Sequence, residues 1–287
     1  MFAFREILSG PPPRIHIADV GAMTVLDDAT LEDAPPVYHR LLETGAAAVT
    51  GFEPVAEECE KLNRRAAPGQ RFLPYAIGDG GVGTFRRCNA AMTSSLYEPD
   101  LELMGRFNHL GELCRVVERS PMATHRLDDI PELGAVDYLK LDIQGAELDA
   151  LAGAPSTLAG TLVVHTEVEF VALYRGQPLF ADVDRELRRQ GFCFHCFHGV
   201  SGRTFKPVVV NNDPRRGLNQ ALWGDAVYVK DWMGWDRLEA ASLLKAALIL
   251  HEVYGSYDLA QHALEHHDRQ TGAALQMRYL ERLFGRG

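Results

Sequence analysis

The side chains best suited to chemistry in this chain are carboxylates at the ends of short apolar runs. Asp142 follows Val136–Leu141, Asp19 follows Ile15–Ala18, and Glu53 follows Ala47–Phe52. Glu167 sits inside the run 162–168. A carboxylate offers acceptor oxygens to a vicinal diol, binds a hard cation, or takes a proton from a hydroxyl. Asp142 is the first candidate base and Glu167 the second. His165, Glu167 and Glu169 alternate, so a strand there puts all three on one face. His165 therefore joins the candidate catalytic set. With Asp142, that face would hold a divalent cation through Asp142 and Glu167, or form a hydrogen-bonded rim around a substrate. The plainer role for Asp142 is to cap a helix beginning near Gln144.

These carboxylates need strands to position them. Apolar runs alternate with helical patterns: 14–20, 47–52 and 71–77 read as strands, with helices over 37–42 and 56–65 between them. Short connections of this kind imply a parallel sheet with right-handed crossovers. Tyr138–Leu141 reads as a central strand buried on both faces. Strands over 162–168, 192–197 and 226–230 follow, the last placed antiparallel at the sheet edge. From Arg237 onward the pattern is helical. The chain is thus expected as a segment 1–13, an α/β domain 14–232 and a helical extension 233–287. That extension is a candidate layer, lid or homo-oligomer face.

The turn after the first strand, Asp19-Val20-Gly21-Ala22, has the layout of a nucleoside-binding α/β fold. Glu53, ending the second strand, is placed to accept from ribose hydroxyls. A pyrophosphate turn wants several glycines, and only Gly21 is present. Asp27, Asp28, Glu32 and Asp33 follow it. That charge opposes a pyrophosphate and suits a cationic sulfonium, so S-adenosylmethionine is favoured over NAD. Asp79 either accepts from an adenine amino group or holds its own Gly-Asp-Gly turn. Asp19, Gly21, Ala22, Glu53, Pro54 and Asp79 form the candidate cofactor set. Gln144, Glu169, Tyr174 and Gln177 form the candidate acceptor set.

Other features are read more plainly. Cys193 and Cys196 on a strand point to opposite faces, and no second cysteine pair completes a zinc site. His125 reads as a surface histidine, and Asn211-Asn212 as a turn. The net charge is −10, from 39 acidic and 29 basic residues, which argues against bulk-charge binding to nucleic acid or anionic membrane. Met1–Pro13 lacks a signal-peptide pattern, and no apolar run is long enough to span a bilayer. Five scattered cysteines fit a reducing cytoplasm.

The ordered motifs Asp19-Val20-Gly21-Ala22, Gly51-Phe52-Glu53-Pro54, Ala76-Ile77-Gly78-Asp79, Arg126-Leu127-Asp128-Asp129 and Leu139-Lys140-Leu141-Asp142-Ile143-Gln144-Gly145-Ala146-Glu147 resemble those of FkbM-type methyltransferases. Thr166–Phe170 and Tyr174–Phe180 extend the resemblance, which runs from about Arg14 to Lys230. It implies a class I fold, a Rossmann-like seven-stranded sheet with helices on both faces. It also implies S-adenosylmethionine as cofactor and O-methylation of a sugar, glycan or polyketide-type natural product. Under it, Asp19 and Gly21 line the methionine end, Glu53 the ribose, and Asp142 the transferring methyl. Many members carry a second glycine where this chain reads Met23-Thr24-Val25-Leu26. That departure keeps a non-catalytic nucleoside-binding module as an alternative.

Overall fold

The computed structural model describes residues 2–23 and 35–285. The acidic stretch 27–33 and the departure at 24–26 lie outside the described residues. A seven-stranded sheet organises the chain: β1 (Ile15–Val20), β2 (Ala47–Phe52), β3 (Gln70–Leu73), β4 (Tyr138–Leu141), β5 (Val163–Glu169), β6 (Phe192–Ser201) and β7 (Trp223–Lys230). Its order is β6-β7-β5-β4-β1-β2-β3. β7 runs antiparallel to both neighbours, while the pairs from β5 to β3 are parallel. This is the class I S-adenosylmethionine-dependent methyltransferase fold.

Two strand expectations are corrected. The antiparallel strand lies one place inside the edge, and β6 takes the edge. Ala226, Val227, Tyr228 and Val229 are at most 1% exposed. A strand buried on both faces needs a neighbour on each side to satisfy its backbone. β6 is buried at Phe192, half-buried over 193–196 and exposed from Phe197 onward. The run 71–77 is not one strand. Pro74 interrupts it, and Ala76–Ile77 pairs instead with the long strand Val116–His125.

Period two divides the sheet into two faces. Ala18, Val20, Leu139, Leu141 and Val164 face the helices Glu147–Ala152, Pro155–Gly160 and Phe180–Arg189. Ile15, Ile17, Tyr138, Val163 and Val227 face the other way, against Leu243, Ala247, Leu250 and Leu264 of the C-terminal helices. Residues 233–285 therefore form the second helical layer of the sandwich, and Phe4 and Ile7 join the same core. Each fully buried Leu or Ile contributes about 1.5–3 kcal/mol to this packing.

A third, smaller core covers the carboxyl ends of the strands. Val82–Cys88 and Val116–His125 form an antiparallel pair, and the chain between them supplies Met104, Phe107, Leu110 and Cys114. These pack with Leu173, Tyr174 and Leu222. The insertion thus walls in the end of the sheet where α/β folds bind ligands.

Candidate active site

On the face that carries Ile15 and Tyr138, side chains change character along the strands. The amino half is apolar. The carboxyl half begins with the paired row Asp19, Lys140, His165. Two residues further on stand Asp142, Glu167 and Asp225, and then Glu169 beside Trp223. A charged row cannot be covered by apolar helices without large cost, and the C-terminal helices reach only its His165 end, through the Tyr254 hydroxyl. The space above holds a cleft of about 640 Å³, lined by Asp19, Gly21, Ala22, Tyr38, Lys140, Asp142, Gln144, Glu167, Glu169, Tyr174, Arg203 and Trp223. A second cleft of about 320 Å³ at the amino ends of the strands is lined by Arg14, His16 and Arg71 and has no carboxylate.

The turn after β1 is built on close backbone contact. Gly21 and Ala22 both donate to the Phe52 carbonyl, at 3.1 and 3.0 Å, and Asp142 donates to Val20 at 3.1 Å. Gly21 has φ 81°, and a β-carbon there would lie 1.9 Å from the Asp142 carbonyl oxygen. Only glycine lets the first and fourth strand ends meet this closely. The Asp19 carboxylate is 6% exposed. It accepts from the Tyr38 hydroxyl at 2.5 Å and lies 3.2 Å from the Lys140 ammonium. Lys140 is also 3.7 Å from Asp142. Burial opposes its charge, but Asp19 and Asp142 outweigh that and raise its pKa. Asp19 lines the cleft, with Oδ1 the oxygen that faces Lys140. A buried carboxylate and an open glycine turn fit the ammonium and sulfonium charges of S-adenosylmethionine.

Glu53 ends β2 at 4% exposure and accepts from the Val55 N–H at 2.7 Å. Burial pushes its carboxyl up to about 7. Glu53 and Pro54 stand behind the cleft wall rather than on it. Asp79 is exposed, and its Oδ1 accepts from the Gly81 N–H at 2.8 Å, so the turn occupies it.

At the fourth strand end, one amide joins two acids. The Gln144 Nε2 donates to Asp142 at 3.1 Å and to Glu167 at 2.7 Å. The Tyr174 hydroxyl donates to Gln144 Oε1 at 3.3 Å. Gln144 reaches this position from a left-handed backbone, φ 55°, followed by Gly145 at 101°. Glu147 fixes that turn by accepting from the N–H groups of Ile143 and Gly145, at 2.7 and 3.0 Å. Asp142 therefore does not cap the helix, which begins at Glu147. Burial, reinforced by Asp142 and Glu169, raises the Glu167 pKa well above the usual carboxylate range. Burial likewise pushes Glu169 up to about 7, with Asp142 adding to it.

The expected metal pair is thus bridged by a donor amide. Among the described residues, no group of three or more His, Cys, Asp and Glu is arranged to hold a metal ion. His165 lies on the expected face but outside the cleft lining. It is 3% exposed, with Nδ1 3.1 Å from the Tyr254 hydroxyl and Nε2 3.5 Å from Asp225. Tyr254, from the C-terminal helices, also meets the Tyr138 hydroxyl at 2.8 Å. Gln177 is buried and accepts from the Tyr174 N–H rather than lining the cleft. His125 is exposed beside Tyr75, and Asn211 and Asn212 adopt left-handed turn conformations.

Lys140, Tyr38, Arg203 and Trp223 were not singled out from sequence. A signal existed for Lys140 alone: a lysine inside the apolar run of a central strand needs a charged partner. The other three reach the cleft from distant segments.

The profile described as "Methyltransferase FkbM domain" matches residues 19–194. The 2-O-methyltransferase NoeI of Sinorhizobium fredii (strain NBRC 101917 / NGR234) is 42% identical over 142 residues, covering 46% of this chain and 58% of that protein. The chain thus spans 58% of the length of this curated relative. Magnesium protoporphyrin IX methyltransferase (ChlM) from Synechocystis PCC 6803, solved with bound SAM, aligns at 13% identity with a TM-score of 0.39, over 76% of this chain and 71% of that one. An S-adenosylmethionine-dependent methyltransferase from Mesorhizobium loti aligns at 10% identity with a TM-score of 0.38, over 79% and 95%. No helix among the described residues is long and apolar enough to cross a membrane. With the family profile matched across the cofactor turn, the Gln144-bridged acids and the fifth strand, this chain belongs to the FkbM methyltransferase family.

Proposed function

We propose that the protein transfers a methyl group from S-adenosylmethionine to a hydroxyl of a sugar or glycan. The observation that carries this reading is the meeting of the Gly21 turn with the Asp142 and Glu167 carboxylates in one cleft. Bound S-adenosylmethionine supplies a methyl carbon made electrophilic by positive sulfur. Asp19, held by Tyr38 and Lys140, faces the methionine end. Asp142 accepts the acceptor hydroxyl's proton, with the Gln144 amide fixing one of its oxygens. Glu167 and Glu169, their pKa values raised by burial, share protons with it and hydrogen-bond neighbouring hydroxyls. The insertion walls exclude water and hold the acceptor in line. The activity of the relative NoeI, a 2-O-methyltransferase, supports oxygen as the atom methylated.

A second reading, methylation of a small natural product, draws on the apolar wall of Met92, Met104, Leu110, Leu113 and Leu173. The test is S-adenosylhomocysteine release over a panel of glycosides and polyketide-type alcohols, with Asp142→Asn alongside. Asp142→Asn is expected to keep cofactor affinity and lose about 100- to 10,000-fold in turnover. Full turnover in that variant would remove Asp142 as base. Turnover only with non-sugar alcohols would favour the second reading. Absence of cofactor binding by the wild type would overturn both.

A further inference from the structure

Arg203 is the cleft side chain that the proposed reaction leaves unexplained. Its guanidinium lies 4.9 Å over the Trp223 ring. Nη1 donates to the Gly202 carbonyl at 2.9 Å, and Nε is buried with no hydrogen-bond partner. Among the described residues no carboxylate lies within ion-pair distance of it, although the chain carries a net charge of −10. Arg215 repels it and Asp213 attracts it, and those two are paired with each other at 3.8 Å. A partly buried guanidinium without an ion-pair partner is costly unless a ligand completes it. Trp223 holds the guanidinium by a cation–π contact, which fixes the plane of its donor fork. That fork matches the paired oxygens of a carboxylate, sulfate or phosphate.

Its position says which ligand it serves. Trp223 pairs with Glu169 at the start of β7. From β1, which carries the Gly21 turn, to β7 there are three strand spacings, about 14 Å. The methionine carboxylate at that turn is out of reach. From β4, which carries Asp142, there are two spacings, about 10 Å. An anionic group at Arg203 is thus remote from the reacting hydroxyl, across a ring or on the next residue of a chain.

We propose that Arg203, held on Trp223, binds an anionic group carried by the acceptor, so that the acceptor is an acidic rather than a neutral sugar. This rests on the sugar O-methyltransferase reading. Asp142 and Glu167 would meet the hydroxyl, and Arg203 would set which molecule presents it. The opposite signs at the two positions would also fix the acceptor's direction in the cleft.

The test uses the full chain saturated with S-adenosylhomocysteine. Calorimetry compares matched probes: methyl glucoside with methyl glucuronide, galactose with galactose 6-sulfate, and glucose with glucose 6-phosphate. Inorganic sulfate and phosphate are run beside them. The acidic member is expected to bind more tightly, and Arg203→Gln to remove about 10- to 100-fold of that affinity, the value of a charge-assisted pair. Arg203→Lys, which keeps the charge but not the fork, is expected to fall between. Cofactor affinity should not move in either variant, and Arg203→Gln should melt no lower than the wild type. In turnover of whichever acidic sugar is methylated, KM should rise with kcat little changed.

Equal binding of neutral and acidic probes overturns the proposal, as does an equal loss of both in Arg203→Gln. Loss of cofactor affinity in that variant makes Arg203 a cofactor residue and also overturns it. No charged probe binding at millimolar concentration overturns it too. The parent reading fails separately. Acidic sugars that bind through Arg203 without S-adenosylhomocysteine release leave the anion site standing, whereas neutral sugars methylated regardless of Arg203 remove only the anion site.

Discussion

Gly21→Ala is expected to destabilise the protein by about 2–5 kcal/mol and to remove cofactor binding. Two costs add. Gly21 has φ 81°, a left-handed conformation that charges a β-carbon about 1–2 kcal/mol. The added carbon would also stand 1.9 Å from the Asp142 carbonyl oxygen and 2.9 Å from its carbonyl carbon. These are backbone atoms, so relief requires the ends of β1 and β4 to separate. Overpacking of this kind costs about 1–3 kcal/mol. The same separation moves Asp142, and a misplacement of about 1 Å costs about 100-fold in rate. Urea unfolding reads the stability, calorimetry with S-adenosylhomocysteine reads the turn, and turnover reads Asp142. Gly51→Ala is the internal comparison. Its β-carbon would meet the Phe72 ring at 2.4 Å, a side chain that can turn away, and the Ala22 β-carbon at 3.0 Å, but no backbone atom of Asp142, so it should perturb Asp142 far less. A Gly21→Ala protein within about 0.5 kcal/mol of wild type, with unchanged ligand affinity, would refute the reasoning, because that is the scatter of an uninvolved surface change.

Glu53 titrates near 7 in the folded protein against 4.5 for the free side chain. Its contribution to stability is therefore full below about pH 4.5 and lost as pH rises through about 7, a swing of about 3 kcal/mol. Glu53→Gln should flatten that limb, and parallel urea curves for variant and wild type at pH 5 and 8 would count against it. Gln144→Leu leaves Asp142 and Glu167 without their shared donor and should lower kcat with little change in cofactor affinity. A loss confined to KM would assign Gln144 to acceptor contact instead. Tyr254→Phe and His165→Gln should each cost about 1–3 kcal/mol in thermal or urea melts while leaving kcat within a few-fold. A large kcat loss with intact stability would return His165 to the catalytic set. EDTA is expected to leave turnover unchanged, since the Gln144 amide occupies the gap between the two acids. Restoration of a lost rate by added Mg²⁺ would contradict that.

Much of the frame was legible from local signals. Apolar runs ending in Asp19, Glu53 and Asp142 are strands because short buried β-rich runs allow little else, and the crossover pattern makes them parallel. Glu167 and Glu169 were readable from alternation, and both line the cleft. His165 obeys the same alternation yet lies under Tyr254, whose residue number gives no hint of that contact. Alternation assigns a face of the sheet, but not how far along that face a distant layer extends. Asp79 draws on both near and distant partners, accepting from the Gly81 N–H of its own turn at 2.8 Å and from the distant Thr124 hydroxyl at 3.4 Å.

The sequence by itself determined the strands, the acids that end them, the glycine turn and the family motifs. These depend on residues near one another in the chain and on periods of two and 3.6. Tertiary structure decided the rest. It placed the antiparallel strand inside the edge, set residues 233–285 as the second layer of the sandwich, and put a glutamine amide between two carboxylates. It also brought Tyr38, Lys140 and Arg203 to one cleft from segments far apart in sequence. The physical reason is that charge pairing and burial act through space. Whether a buried ion is satisfied depends on which distant group the packing delivers to it.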